Sequence, residues 1–166
     1  MRACHREFIL ESYSALLSSF GPQHWWTADT PFEVAVGAIL TQSVSWRNVE
    51  KAMAALKSAG LMDAASLCQC DEERLGQLIR PTGYYNAKAR KLRAFTCFLQ
   101  EHFGGRMDAL WTIPQGRLRE TLLGVYGIGL ETADAILCYA GELPAFVADA
   151  YSRRILRRWG LLQGDS

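Results

Sequence analysis

Apolar residues recur at spacings of three and four along nearly the whole chain, which is the pattern of helices that each bury one face. The clearest runs are 8–20, 32–40, 49–59 and 92–103. Glycine and proline fall between the runs, where helices are expected to end. The pattern predicts an all-α fold of roughly eight to ten helices joined by short connections.

The length and composition are those of a globular protein. With 166 residues, of which 49% are hydrophobic, the chain suits one domain or two small lobes that share a core. No apolar stretch is long enough for a membrane span, and residues 1–10 carry charges rather than a signal-peptide pattern. We therefore expect a single cytoplasmic domain over residues 1–166, with no membrane partner.

The five cysteines are scattered and contain no Cys-x-x-Cys pair. This pattern indicates neither a disulfide framework nor a zinc or iron–sulfur site. We expect these cysteines to be reduced and mostly buried.

Basic residues concentrate in two acid-free stretches, although the net charge is only +1. One stretch, between Glu73 and Glu101, contains Arg80, Lys88, Arg90, Lys91 and Arg93. The other lies between Asp149 and Asp165 and contains Arg153, Arg154, Arg157 and Arg158. Each stretch alone is equally consistent with a solvated helix face, whereas the two together suggest a one-sided basic surface.

A glycine-rich turn separates two helical segments near residue 127. Leu118, Leu122 and Leu123 share one face of the first helix, and a second helix is expected to begin near Gly129. Gly127 and Gly129 allow a sharp turn and leave room for a phosphate to approach free backbone N–H groups. The alternative is a plain helix–helix turn, because glycine is common at helix ends.

Asp149 stands at the start of the second arginine-rich stretch, after extended apolar residues. Its position predicts the N-cap of a helix. A carboxylate there could also stabilise a developing cation or activate water.

These motifs resemble those of a known superfamily. Gly-Ile-Gly-Leu-Glu-Thr-Ala-Asp at 127–134, followed by Phe-Val-Ala-Asp-Ala-Tyr-Ser-Arg-Arg-Ile at 146–155, resembles the signature of the helix-hairpin-helix, endonuclease III-like DNA glycosylases. Residues 31–42 are similar to the first core helix of that superfamily, and residues 83–89 to its mid-chain loop and helix. The resemblance covers nearly the whole chain and implies a two-lobed fold that flips a damaged base out of DNA.

The resemblance also implies roles for individual residues. Asp149 is similar to the catalytic aspartate, which stabilises the oxocarbenium character of the sugar and activates water at C1′. Gly127 and Gly129 are similar to the phosphate-binding hairpin. With Thr132 of the same motif and Lys88, Arg153 and Arg157 of the basic stretches, they are the predicted DNA contacts. The superfamily often holds a sodium or potassium ion at hairpin carbonyls, here those of Leu123, Val125 and Gly127, and no other cofactor is required.

Two departures from the superfamily pattern bear on function. Relatives that also cut DNA have a lysine two residues beyond the second hairpin glycine, where this chain has Glu131. A carboxylate cannot form a Schiff base, so we expect no lyase activity through this position. Glu131 either shares the catalytic site with Asp149 or only occupies a first helical turn that favours acids. The chain also ends soon after Asp149, so we expect it to lack the usual C-terminal continuation with its iron–sulfur loop.

Trp25, Trp26 and Trp46 lie near the ends of one predicted helix. Indole rings stack on bases and attract cationic, N-alkylated purines, although a tryptophan can equally fill a seam between lobes. The pattern resembles the subgroup of 3-methyladenine DNA glycosylase III, which makes these tryptophans base-pocket candidates. Gln42 is similar to the superfamily residue near the gap left by the flipped base.

The sequence thus predicts a monomeric, monofunctional glycosylase that removes a damaged base from double-stranded DNA, with alkylated purine as the first substrate hypothesis. One alternative is a non-catalytic helix-hairpin-helix DNA-binding module, which would need neither Asp149 nor the tryptophans. Another is a glycosylase and lyase that recruits a different lysine, such as Lys51 or Lys88.

Overall fold

The computed structural model of the chain describes residues 2–23 and 26–163, and the regular elements in these ranges are all helical. The α-helices, in chain order, are α1 (Arg2–Phe20), α2 (Pro31–Leu40), α3 (Trp46–Ser58), α4 (Ala64–Gln69), α5 (Glu72–Leu78), α6 (Tyr85–Phe103), α7 (Met107–Leu110), α8 (Gln115–Leu123), α9 (Leu130–Ala135) and α10 (Ala150–Arg158). A 3-10 turn at Arg80–Thr82 precedes α6, and a π-helix at Ile136–Ala140 continues α9. The predicted all-α fold is confirmed.

The chain divides into two compact units. The larger is Ala28–Val147 and contains α2 to α9, whereas the smaller combines Met1–Thr27 with Ala148–Ser166 and contains α1 and α10. Within the smaller unit, the ring of Phe8 meets the indole of Trp159 edge to face, at a centroid distance of 5.3 Å. Among the helices that the structure describes, none is both long and apolar enough to cross a membrane.

Helix α2 is the core helix of the larger unit. Thr30 caps it by accepting a hydrogen bond from the Glu33 N–H group at 3.2 Å, and Pro31 occupies its first turn. Its residues from Phe32 to Leu40 are all buried, and it packs against α6, α9 and the π-helix. Each large apolar side chain buried in this way stabilises the fold by about 1.5–3 kcal/mol. The end of α2 at Leu40 brings the next turn, with Gln42, beside the hairpin.

Helix α6 runs through the same unit and packs on α4 and α5. Its buried face consists of Lys88, Ala89, Leu92, Phe95, Thr96 and Leu99. Cys97 of this helix forms a disulfide with Cys68 of α4. The prediction that the cysteines are all reduced is therefore wrong for this pair, because the α4–α6 packing brings two residues 29 positions apart to a Cα–Cα distance of 4.8 Å. Cys70 is a buried free thiol, and Cys138 is half-buried.

Candidate DNA-binding hairpin and catalytic aspartate

The predicted hairpin is formed by α8, the turn that follows it and α9. Gly127 has φ +83°, in the left-handed region that favours glycine. A Cβ atom at residue 127 would also overlap the Cβ, Cγ and Cδ atoms of Lys91, whose aliphatic chain lies against the turn. At Gly129, the N-cap of α9, a Cβ atom would meet no described atom within 4 Å. Gly127 is therefore required by the fold, whereas Gly129 leaves open space in front of the helix start.

Two of the three carbonyl groups predicted to hold a monovalent ion, those of Val125 and Gly127, accept hydrogen bonds at the turn. The Val125 oxygen accepts a hydrogen bond from the Ile128 N–H group at 3.1 Å. The Gly127 oxygen accepts one from the Gln42 amide at 3.2 Å. A carbonyl oxygen has two lone pairs, so these hydrogen bonds do not exclude a cation at the Val125 or Gly127 oxygen.

Gln42 connects the end of α2 to the hairpin. Its Nε2 group donates to the Gly127 carbonyl and, at 2.9 Å, to the hydroxyl of Thr132, and its Oε1 atom accepts from the Lys91 ammonium group. Thr132 is buried, and its hydroxyl faces Gln42 rather than solvent. The sequence indicated neither this use of Gln42 nor the part that Lys91 plays in it.

An ion pair joins the two helices of the hairpin. Arg119 of α8 donates from Nε to Oδ1 of Asp134 at 2.6 Å and from its terminal nitrogen to Oδ2 at 3.0 Å. Asp134 is buried on α9, and the hydrogen bond with this carboxylate raises the pKa of Arg119. The sequence analysis missed this pair. The signal was an acid in the apolar stretch 132–137, because a buried carboxylate needs a cation.

Lys88 corrects a prediction, because it does not lie on a DNA-facing surface. Only 2% of the residue is exposed, and its ammonium group donates to the carbonyl oxygens of Leu40 at 2.9 Å and Thr82 at 2.7 Å. Burial, and then the charge of Lys91, lower the pKa of Lys88 to about 8. Lys88 therefore joins α2 to the 3-10 turn, and its ammonium group points into the fold.

Glu131 lies in the first turn of α9 and is exposed. It directly follows Leu130, which is 60% exposed, and Tyr126 on the other side of the turn is equally exposed. The tip of the hairpin thus presents two large apolar side chains and one carboxylate to solvent.

In the smaller unit, Asp149 is the N-cap of α10, as predicted. Its Oδ1 atom accepts a hydrogen bond from the Ser152 N–H group at 2.7 Å. Arg153 and Arg157 of this helix are exposed, together with Arg154 and Arg158. Helix α10 therefore combines an oriented carboxylate at its start with a strongly basic surface.

The tryptophan candidates lie in different parts of the chain. Trp26 precedes α2 and is half-buried in the smaller unit, while Trp46 is the first residue of α3 and is half-buried in the larger. Trp25 lies outside the described residues. Gln42 lies just after α2, which ends at Leu40, and Trp46 begins the next helix.

A glycine-built hairpin in the larger unit and an aspartate that caps a basic helix in the smaller unit are the features expected of a helix-hairpin-helix DNA glycosylase. Residues 36–166 match the HhH-GPD superfamily of base excision DNA repair proteins. The chain belongs to that superfamily and is a DNA N-glycosylase.

Individual relatives agree with this assignment. A Methanocaldococcus jannaschii protein with the provisional name of DNA repair glycosylase is 44% identical over 157 residues, which are 94% of this chain and 71% of that protein. Endonuclease III of Thermotoga maritima is 31% identical over 131 residues, which are 78% of this chain and 57% of that enzyme. This chain therefore spans little more than half the length of that enzyme.

Solved structures share the fold. The 3-methyladenine DNA glycosylase of H. pylori, bound to 1,N6-ethenoadenine, matches with a TM-score of 0.82 and 30% identity, over 95% of this chain and 74% of that one. An endonuclease III–DNA complex matches with the same TM-score at 24% identity, over 96% of this chain and 72% of the endonuclease III chain. At that identity the second match shows the fold alone.

Proposed function

We propose that this chain is a monofunctional glycosylase, which hydrolyses the N-glycosidic bond of a damaged base flipped out of double-stranded DNA, and that its substrates are alkylated purines. The observation that carries the monofunctional assignment is Glu131. It occupies the exposed first turn of α9 at the position where lyase-active relatives have their nucleophilic lysine. A carboxylate there is favoured by the helix dipole but forms no Schiff base.

Lys88 is a poor substitute nucleophile. A lowered pKa suits an amine for Schiff-base chemistry, and Lys88 has one. Its nitrogen, however, is buried and donates to two backbone carbonyls, so a sugar cannot reach it without local opening of the fold. The burial of Lys88 thus supports hydrolysis without strand cleavage.

The hydrolysis needs one well-placed carboxylate. As the bond between C1′ and the base nitrogen lengthens, positive charge develops on the sugar, and the Asp149 carboxylate would stabilise it electrostatically. The same carboxylate would accept a proton from the water that attacks C1′. The bonding electrons leave with the base, and the hydroxide fragment of water remains on the sugar. The hydrogen bond from Ser152 to Oδ1 holds the carboxylate in one orientation.

Alkylated purines fit this minimal site. A purine alkylated at N3 or N7 is already cationic, so it departs as a neutral base without a separate acid to protonate it. An indole at any one of the candidate positions, Trp25, Trp26 or Trp46, would attract such a base by cation–π interaction. The resemblance to the H. pylori 3-methyladenine glycosylase, at 30% identity, supports the same substrate class.

A lesion panel tests this function. The protein is incubated with matched duplexes that carry 3-methyladenine, 7-methylguanine, uracil or 8-oxoguanine, and base release is measured with and without borohydride trapping. We expect release of the alkylated purines and no trapped adduct with any duplex. Equal release of uracil would contradict the cationic-base proposal, and a trapped adduct would contradict the monofunctional one.

A further inference from the structure

The amide of Gln42 is held by three partners whose chemistry fixes its orientation. The Lys91 ammonium group can only donate, so it must face Oε1, and the Gly127 carbonyl can only accept, so it must face Nε2. The second Nε2 hydrogen reaches the hydroxyl of Thr132. Each polar atom of the amide is therefore engaged inside the larger unit.

The three partners come from separate parts of that unit. Lys91 is on α6, Gln42 follows α2, and the two acceptors lie in the turn of the hairpin and in the first turn of α9. The aliphatic chain of Lys91 also lies against Gly127, so the same side chain contacts the turn directly and through Gln42. The hairpin turn is therefore contacted by Lys91 of α6 and by Gln42, which follows α2.

We propose that Lys91 and Gln42 are positioning residues for the hairpin. Lys91 orients the Gln42 amide, and Gln42 holds Gly127 and Thr132. The hairpin backbone thus has the conformation that binds the DNA strand before DNA arrives. The inference rests on the proposed DNA-binding function of the hairpin.

A positioning lysine and a phosphate-binding lysine differ in how DNA affinity depends on salt. A lysine that neutralises a phosphate releases a counterion, so its loss lowers the slope of log affinity against log salt by about 0.9. A lysine that acts through Gln42 contributes no such release. Its loss weakens binding at every salt concentration and leaves the slope unchanged.

The experiment compares Lys91→Met, Gln42→Leu and the double variant with the natural chain. Amide hydrogen exchange is measured in the free proteins at Ile128 and Ala133. The Ile128 N–H group donates to the Val125 carbonyl within the turn, and the Ala133 N–H group donates to the Gly129 carbonyl at the start of α9. We expect exchange about five- to tenfold faster at both amides in either single variant, with no further change in the double variant. Arg117→Met, which removes an exposed charge from α8, is the control and should leave these amides unchanged.

Affinity for undamaged duplex is then measured from low to moderate salt. We expect a loss of about five- to tenfold in each single variant, the same loss in the double variant, and an unchanged slope. Either variant alone can decide the question if the other fails to fold. Unchanged exchange in both variants, or a slope that falls by about 0.9 in Lys91→Met, would overturn the inference. If the natural chain binds no duplex, the proposed function fails, whereas the exchange data still test the positioning pair.

Discussion

Asp134 receives two hydrogen bonds from Arg119, and this pair ties the helix after the hairpin turn to the helix before it. The carboxylate is buried, whereas the arginine is partly open to solvent. Removal of Arg119 therefore affects Asp134 more than removal of Asp134 affects Arg119. Arg119 can be hydrated when it is alone, but Asp134 cannot.

That asymmetry predicts different costs for the two single substitutions. Arg119→Met leaves a buried carboxylate without its cation and should lower the free energy of unfolding more than the reciprocal change does. Asp134→Asn leaves only a solvated guanidinium group and should cost less. Urea unfolding of both variants measures the difference. An equal cost for the two would mean that the carboxylate is hydrated when Arg119 is absent.

Lys88 predicts a specific dependence of stability on pH. Its pKa is about 8 in the folded chain, against about 10.4 when unfolded, so between these values the unfolded chain binds the extra proton. Folding stability from this group therefore rises as the pH rises through 8, because the charged amine is then no longer buried. We expect the free energy of unfolding of the natural chain, relative to Lys88→Met, to increase between about pH 6.5 and pH 9.5.

The measurement is urea unfolding of both proteins at the two pH values. Lys51→Met, which removes an exposed lysine from α3, is the matched control, and its difference from the natural chain should not change with pH. A constant difference for Lys88→Met would show that the ammonium group is as well stabilised in the fold as in water.

Local features of this chain could be predicted from the sequence, because their causes lie within a few residues. The hairpin turn follows from Gly127 and Gly129, and the cap of α10 follows from Asp149 three residues before its partner Ser152. The basic stretch around Lys88 predicts a surface position, which the structure contradicts. The spacing of this lysine from Leu92, Phe95 and Leu99 would have placed it on the buried face of α6.

The long-range contacts had no comparable signal. Gln42 and Gly127 are 85 residues apart, and Lys88 and Leu40 are 48 apart. Whether a glutamine amide or a lysine ammonium group finds a backbone carbonyl depends on how helices pack, which periodicity does not specify. The sequence therefore identified the hairpin and its glycines but not the side chains that hold the hairpin in place.

Residue 131 should decide whether this hairpin can act as a lyase. We expect Glu131→Lys to form a Schiff base that borohydride traps on abasic DNA, while the natural chain forms none, because we propose that residue 131 occupies the position of the nucleophilic lysine in lyase-active relatives. Glu120→Lys, on the exposed surface of α8, is the control for adding a lysine near the hairpin. A folded, DNA-binding Glu131→Lys protein that traps no DNA would show that residue 131 points away from the sugar.

The tryptophans should affect excision of alkylated purines more than binding to undamaged duplex. Loss of one cation–π contact from Trp25, Trp26 or Trp46 costs about 0.5–2 kcal/mol, which is roughly a 2- to 30-fold slower release. Single Trp→Ala variants are compared for base release and for duplex affinity. Trp159→Ala, which removes an indole that packs on Phe8, controls for lost packing. Parallel losses of release and affinity would indicate a structural role instead.

Asp149→Asn separates the capping role of this residue from its proposed catalytic role. Asparagine caps helices about as well as aspartate, so the variant should keep its melting temperature and its affinity for duplex DNA. It has no negative charge to stabilise the sugar cation or to accept a proton from water, so base release should fall by about 100-fold or more. Asp63→Asn is a matched control, because Asp63 caps α4 in the same way, accepting from the Ser66 N–H group at 2.9 Å. That variant should release bases at the natural rate. Full activity in Asp149→Asn would leave the residue only as a helix cap and would require another group to activate water.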